Sequence, residues 1–250
     1  MTLPRAVLFD LDDTLAPSFV APVPVMIARL ESLLARVPVA IVSGAGFDRI
    51  DAEVMSQMST KPNNLYIFPN SAAQCFVYRD GTWSIEYNHL LTPQERTLIK
   101  SVLDECIRGL DVIRNTPSYG ERVVDREGQI AFTGVGLEAP PDIKRNWDPT
   151  GMKRREIVEY LEVRLPNFEI LIGGASTIDI TRKNQNKSQG VEWMSNHLGC
   201  KPSEMLYVGD ALYEGGNDFV VVPTGIQTRI VASPDETAQI IDDLLSACNV

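Results

Sequence analysis

Histidine is nearly absent from this chain, with only His89 and His197 among 250 residues. Two isolated imidazoles do not make a zinc centre or a serine-type triad, so metal chemistry of the zinc class and histidine-relayed acyl transfer are set aside, and both residues are expected at the surface or at helix ends. Cysteine is equally sparse. Cys75, Cys106, Cys200 and Cys248 show no paired ligand spacing, and a chain this long needs no disulfide staples, so they read as reduced thiols. Basic residues are in deficit: 23 Lys and Arg against 33 Asp and Glu leave a formal charge of −10. A nucleic-acid partner is excluded on that balance, since a surface that tracks phosphates needs a basic stripe. The one basic cluster, Lys153-Arg154-Arg155, is expected on a solvated helix face. No apolar run approaches a membrane span, and the apolar stretch before Asp10 is too short for a signal peptide, so a cytoplasmic location is expected.

What the chain does have is acid at strand ends. Asp10-Leu11-Asp12-Asp13-Thr14 follows the apolar run Ala6-Val7-Leu8-Phe9, and the carboxyl ends of strands are where an α/β sheet presents its reactive groups. Residues two apart on an extended backbone point the same way, so Asp10 and Asp12 can face one site while Leu11 turns into the fold. Like charges held so close call for a cation, and magnesium is the hard, oxygen-preferring ion that shares its shell with substrate phosphate. A solvated acidic turn would explain the pentad alone equally well. The second run, Met205-Leu206-Tyr207-Val208-Gly209-Asp210, and the following Gly215-Gly216-Asn217-Asp218 bring further acids to another strand end. A third strand, Val39-Ala40-Ile41-Val42, ends in Ser43-Gly44, a hydroxyl and an amide suited to a phosphate oxygen. Lys187 precedes an amphipathic helix expected over 189–197, which puts its ammonium near a helix N-terminus, where anions are favoured.

Strands and helices alternate up to about residue 53, with helices expected over 22–36 and 48–58, the pattern of a parallel sheet covered by helices. Residues 65–70 add a strand. Asp80-Gly81 then joins two alternating runs, 74–78 and 82–87, as a hairpin. The pattern changes near residue 88. Thr92-Pro93-Gln94-Glu95 has cap, first-turn proline and third-position glutamate, and predicts a helix to about residue 108. Strands are expected over 121–125 and 129–133, then a helix over 152–164 and strands over 168–172 and 177–181. Helix, strand, strand thus occurs twice, and the segment reads as a compact sheet with two helices inserted into the catalytic unit. The expected domains are 1–87 with 185–250 as core, and 88–184 as an inserted cap able to close over the site.

With these residues in view, the chain resembles the haloacid dehalogenase superfamily, and within it the phosphomannomutase-like branch of subfamily IIB. That likeness rests on the four motifs above, on Asn70 to Gly81, on Gly173-Gly174 to Asp179, and on 231–237. It implies a Rossmann-like α/β core with an inserted α+β cap of C2 type, a magnesium cofactor and a small phosphorylated substrate. It also implies Asp10 as nucleophile, Asp12 as general acid and base, Ser43, Gly44 and Lys187 as phosphate ligands, and Asp10, Asp12, Asp210, Asn217 and Asp218 around the metal. In the cap, Arg126, Thr177 and Asp179 fall where sugar or far phosphate would be held, with Lys144 or Arg145 as a further cation. Two departures favour hydrolysis over isomerisation: Leu137 stands where the mutases have a second arginine, and Ser43 replaces a glycine-rich segment. The reading is a phosphatase of small phosphorylated sugars, with hexose-phosphate isomerisation and a non-catalytic binding module as alternatives. Dimerisation through the cap would fit the mutase likeness.

Overall fold

The computed structural model describes residues 3–18, 20–60 and 63–247. The strands among the described residues are β1 (Val7–Phe9), β2 (Val39–Val42), β3 (Leu65–Phe68), β4 (Gln74–Arg79), β5 (Thr82–Asn88), β6 (Val123–Asp125), β7 (Ile130–Thr133), β8 (Phe168–Ile172), β9 (Thr177–Arg182), β10 (Leu206–Gly209) and β11 (Gln227–Ile230). Seven form one sheet in the order β11-β10-β1-β2-β3-β4-β5, parallel as far as β3 and antiparallel beyond it. The other four form a wholly antiparallel sheet in the order β6-β7-β9-β8.

The central strands read as unbroken apolar runs because helices cover both faces. On one side Val7, Phe9, Val39, Ile41, Leu65, Ile67, Leu206 and Val208 pack with α1 (Pro24–Leu34) and with a C-terminal helix (Pro234–Ser246, α9 below). On the other, Leu8, Ala40, Val42, Tyr66, Phe68 and Tyr207 meet a helix over Lys187–Leu198 (α8 below). This alternation aims the site. Asp10 has the parity of Leu8, so it leaves β1 on the side of the Lys187 helix, while Leu11 joins the opposite core as expected.

The remaining helices are α2 (Phe47–Glu53), the single turn α3 (Pro69–Ala72), α4 (Pro93–Gly109), α5 (Asp111–Arg114), α6 (Pro141–Trp147), α7 (Met152–Arg164), α8 (Lys187–Leu198) and α9 (Pro234–Ser246). α4 begins with the expected capping box: Glu95 N–H donates to Thr92 Oγ1 at 3.2 Å and Thr92 N–H to Glu95 Oε2 at 2.7 Å. α4 and α7 lie on one face of the small sheet, where Ile99, Leu103, Ile157 and Leu161 pack against Ile130, Phe132, Ile178 and Ile180. Each helix is followed by a strand pair whose second member, β7 or β9, lies at the centre, which matches the twofold helix-strand-strand pattern. Period-2 alternation turns the other face of β9, with Thr177 and Asp179, away from α4 and α7.

Several features depart from the sequence reading. The second helix stops at Glu53 and continues as a separate 3₁₀ turn, Met55–Gln57. β11, α5 and α6 lack a strong enough pattern to stand out; α6, for instance, is seven residues after two prolines. α9 is absent from the sequence reading although Pro234, Asp235 and Glu236 in its first turn and buried Thr237, Ile241 and Leu244 mark it. The Lys153-Arg154-Arg155 cluster is not wholly solvated. Arg154 is buried, with Nε donating to Asp148 Oδ2 at 3.0 Å and Nη1 to the Gly174 carbonyl at 2.6 Å. A guanidinium can go inside when its fork is filled in this way. His89 and His197 are exposed, the latter stacked on Trp193. Cys75, Cys106 and Cys200 are thiols, and Cys248 lies outside the described residues. Among the described residues no helix is long and apolar enough to cross a membrane.

Candidate active site

Three strand ends and one helix start converge beside a cleft of about 1410 Å³ lined from both sheets. Asp10 follows β1 and is 5% exposed. Lys187, the first residue of α8 and 1% exposed, donates from Nζ to Asp10 Oδ1 and to Asp218 Oδ1, each at 2.7 Å. Asn186 caps the helix by accepting from Ser188 N–H at 3.0 Å, which fixes where the lysine stem departs. Burial by itself would push the Lys187 ammonium down, but Asp10 and Asp218 together hold it above the ordinary lysine range.

Asp218 is fully buried and takes two more donors, Tyr207 Oη at 2.5 Å and Ala211 N–H at 3.1 Å. Gly209 makes room for it, because a Cβ there would overlap the Asp218 carboxylate. Asp210, at the end of β10, completes a set of three carboxylates with ligand oxygens within 4.8 Å of one another. Their charge is not balanced by one lysine. Burial first, then Asp218, pushes Asp210 up to about 7, and burial with Asp218 and Asp210 raises Asp10 well above the usual carboxylate range against the pull of Lys187. A hard divalent cation is what such a donor set fits. Asp10, Asp210 and Asn217 line the cleft, and Asp218 is buried beside them, bonded to Lys187.

Asp12, expected among the metal ligands, lies outside that cluster of carboxylates. Its two oxygens accept from Arg49, Oδ1 from Nη2 at 2.7 Å and Oδ2 from Nη1 at 2.9 Å, a bidentate pair that supplies its counter-charge. Ser43 is buried after β2 and its Oγ accepts Ala45 N–H at 3.1 Å, which leaves the hydroxyl proton for an incoming oxygen. Gly44 sits where β9 comes closest. Its carbonyl accepts from Arg126 Nη1 and, at 3.5 Å, from Gln129 Nε2, and a Cβ on it would stand 3.1 Å from Asp179 Oδ2.

Arg126 therefore reaches across to the large sheet, while its neighbour Asp125 is held by Arg96 and Lys100 instead. Asp179 is buried between the two sheets, with Gln129 Nε2 donating at 2.6 Å and Ser71 Oγ donating in turn to Gln129 Oε1 at 2.8 Å. Thr177 is partly buried and lines the cleft with Lys144 and Arg145; Lys144 Nζ also donates to the Leu137 carbonyl at 2.8 Å. Arg154 braces the Gly173 and Gly174 carbonyls, and Ile172 beside them pairs with Gly216 of the large sheet's loop.

Burial raises Asp179 to about 6, opposed by Arg126 and Lys187 and reinforced by Asp12. Its ordinary value is 3.8, so between the two the native state binds the extra proton. Its contribution to stability is then full at low pH and is lost as pH rises through about 6. Asp179→Asn, which keeps an acceptor for Gln129, is expected to gain about 1–3 kcal/mol at pH 7 and little at about pH 3. Urea midpoints at the two pH values check this; an equal gain at both would contradict it.

Arg49 and Gln129 escaped the sequence reading, and Arg154 entered it only as part of a solvated basic cluster. Arg49 left a signal: a cation in the first turn of α2 opposes the helix dipole, where acids are preferred. Gln129 precedes the apolar run of β7 without any comparable mark.

The eukaryotic phosphomannomutase family model matches residues 26–247. Phosphomannomutase from Spinacia oleracea is 22% identical over 92% of this chain and 91% of its own length, and phosphomannomutase 2 from Dictyostelium discoideum is 23% identical over 94% of each. Among solved structures, an IMP-bound Plasmodium falciparum IMP-nucleotidase superposes with a TM-score of 0.74 at 16% identity, over 98% of this chain and 68% of that one. The Synechocystis sucrose-phosphatase gives 0.56 at 15% identity, over 97% and 88%. The parallel sheet with acids at the ends of β1 and β10 is thus a haloacid dehalogenase fold, and the chain belongs to the eukaryotic phosphomannomutase family, whose enzymes and their superfamily neighbours make it a phosphatase or a mutase.

Proposed function

We propose that this protein is a magnesium-dependent phosphotransferase that forms an aspartyl phosphate on Asp10 and hydrolyses a small phosphorylated sugar. The observation that carries the reading is the buried Lys187 between Asp10 and Asp218, beside a carboxylate surplus that opens on the cleft. Residues 1–87 and 185–250 act as the catalytic core and 88–184 as its cap. Asp10, Asp210 and Asp218 would hold the ion, with Asn217 beside them on the cleft wall. When bound, magnesium offsets phosphoryl charge and draws the Asp10 oxygen and the phosphate together.

Asp10 attacks phosphorus in line, its oxygen bonding to phosphorus as the bond to the sugar oxygen breaks. Asp12, whose carboxylate is paired with Arg49 and must first take up a proton from water, gives that proton to the departing oxygen. Water then attacks the aspartyl phosphate, Asp12 takes the proton back, and inorganic phosphate leaves. Ser43, the Gly44 amide and Lys187 hold the non-bridging oxygens throughout. Arg126, Thr177 and Asp179, with Lys144, contact the rest of the substrate from the cap.

Isomerisation is the second reading, favoured by the cleft, which at about 1410 Å³ exceeds the roughly 300–1,000 Å³ of ordinary small-molecule sites and leaves room for a bisphosphate to turn. Leu137, 38% exposed and lining the same cleft where the mutases have an arginine, tilts the balance to water. Phosphorus NMR with hexose 1-phosphates and magnesium, with and without a hexose 1,6-bisphosphate, tests the choice. Inorganic phosphate without isomer supports hydrolysis. Bisphosphate-dependent conversion to the 6-phosphate would replace it with the mutase reading.

A further inference from the structure

Resting on that phosphotransfer reading, we propose that Arg49 is a positioning residue that latches Asp12 until an anion at the far end of the substrate draws its guanidinium away. Both Asp12 oxygens are committed to Arg49, so Asp12 cannot turn to a leaving oxygen without giving up a bond. The guanidinium is held from the other side as well. Its Nε donates to Glu53 Oε1 at 2.9 Å, one helical turn along α2. That bond is a pivot: Nη1 and Nη2 can exchange one acid for another while Nε stays in place.

The exchange is accessible and chemically balanced. The Arg49 and Asp12 side chains are 21% and 28% exposed and both line the cleft, so a ligand reaches the pair without unfolding anything. A phosphate or carboxylate presents the same two-oxygen edge that Asp12 does, so the incoming anion repays the two charge-assisted bonds it breaks. Neighbouring cations favour its arrival. Arg126 and Lys144 line the same cleft, and burial together with the nearby Arg49 charge pushes both below their ordinary values, a crowding that an anion among them relieves. Substrate binding thereby frees Asp12 to turn toward the leaving oxygen. A substrate without a far anion leaves Asp12 latched.

The substrate class follows: a sugar phosphate with a second anionic group, phosphate or carboxylate, away from the reacting end. The test compares glucose 1-phosphate, glucuronic acid 1-phosphate and glucose 1,6-bisphosphate in the intact protein with magnesium. The wild type is expected to show kcat about tenfold or more higher for the two substrates with a far anion. In Arg49→Gln the kcat for glucose 1-phosphate should rise severalfold, the advantage of the other two should vanish, and their KM should increase about tenfold. Arg49→Lys, whose single ammonium cannot hold both oxygens, should keep part of the advantage. An arginine that merely held Asp12 in place would give the opposite sign, with kcat falling by one factor for all three substrates and KM unmoved, and that result overturns the latch alone. If none of the three shows turnover that depends on Asp10, the phosphotransfer reading falls and the latch with it.

Discussion

Asp10→Asn is expected to abolish the covalent phosphoryl adduct and lower turnover by roughly 10⁴-fold or more, while making the metal-free protein more stable by about 1–2 kcal/mol. The two effects have one cause. Asp10 is buried next to Asp210 and Asp218 with a single ammonium among them, and burial already raises its pKa well above the usual range. An amide removes one surplus charge, keeps an acceptor for Lys187 and cannot act as nucleophile. Acid-quench trapping of radiolabelled phosphate and urea titration in chelator read the two quantities. Retained turnover would remove Asp10 from the chemistry, and a loss of stability would show that the carboxylate holds the fold together rather than straining it.

Lys187→Met should act in the opposite direction on stability. Lys187 is 1% exposed and is the common partner of Asp10 and Asp218, which are 5% and 0% exposed. Removing one member of a buried ion pair leaves its partners uncompensated and costs about 3–5 kcal/mol. Adding Asp218→Asn to the variant should restore part of that loss, because the amide still accepts from Tyr207 Oη and has no charge to strand. Turnover should stay absent in both variants, since neither puts a cation beside the phosphoryl oxygens. Recovery of activity in the double variant would mean that Lys187 serves the fold and not the reaction.

The signals legible in the sequence were those set by short-range rules. Apolar runs ending in acid placed β1 and β10, and one ending in Ser43-Gly44 placed β2, because parallel strands covered on both faces are apolar throughout. The Thr92 to Glu95 box fixed the start of α4 because capping is local. Thr177 and Asp179 entered through the family resemblance, and the structure places Asp179 against Gly44. What was not legible depended on partners distant in the chain. Arg154 looks like a surface charge until Asp148 and the Gly173 and Gly174 carbonyls surround it. Arg49 meets Asp12 across 37 positions, and no periodicity carries that information. β11 is mostly exposed at a sheet edge, so burial never imposed an apolar pattern on it.

The pairing of β1 with β10 has a consequence for how the molecule is made. Val7 aligns with Leu206, about 200 residues along the chain, whereas the small sheet closes on itself within residues 123–182. On a ribosome the small sheet can therefore mature early, while β1, which carries Asp10 at its end, waits with one edge unpaired until β10 emerges. Lys187 and Asp210 arrive late as well. A nascent chain stalled before β10 is expected to be protease-sensitive in its first ninety or so residues, protected between about 90 and 182, and incapable of phosphoryl chemistry, because β10 is what brings Asp210 to Asp10.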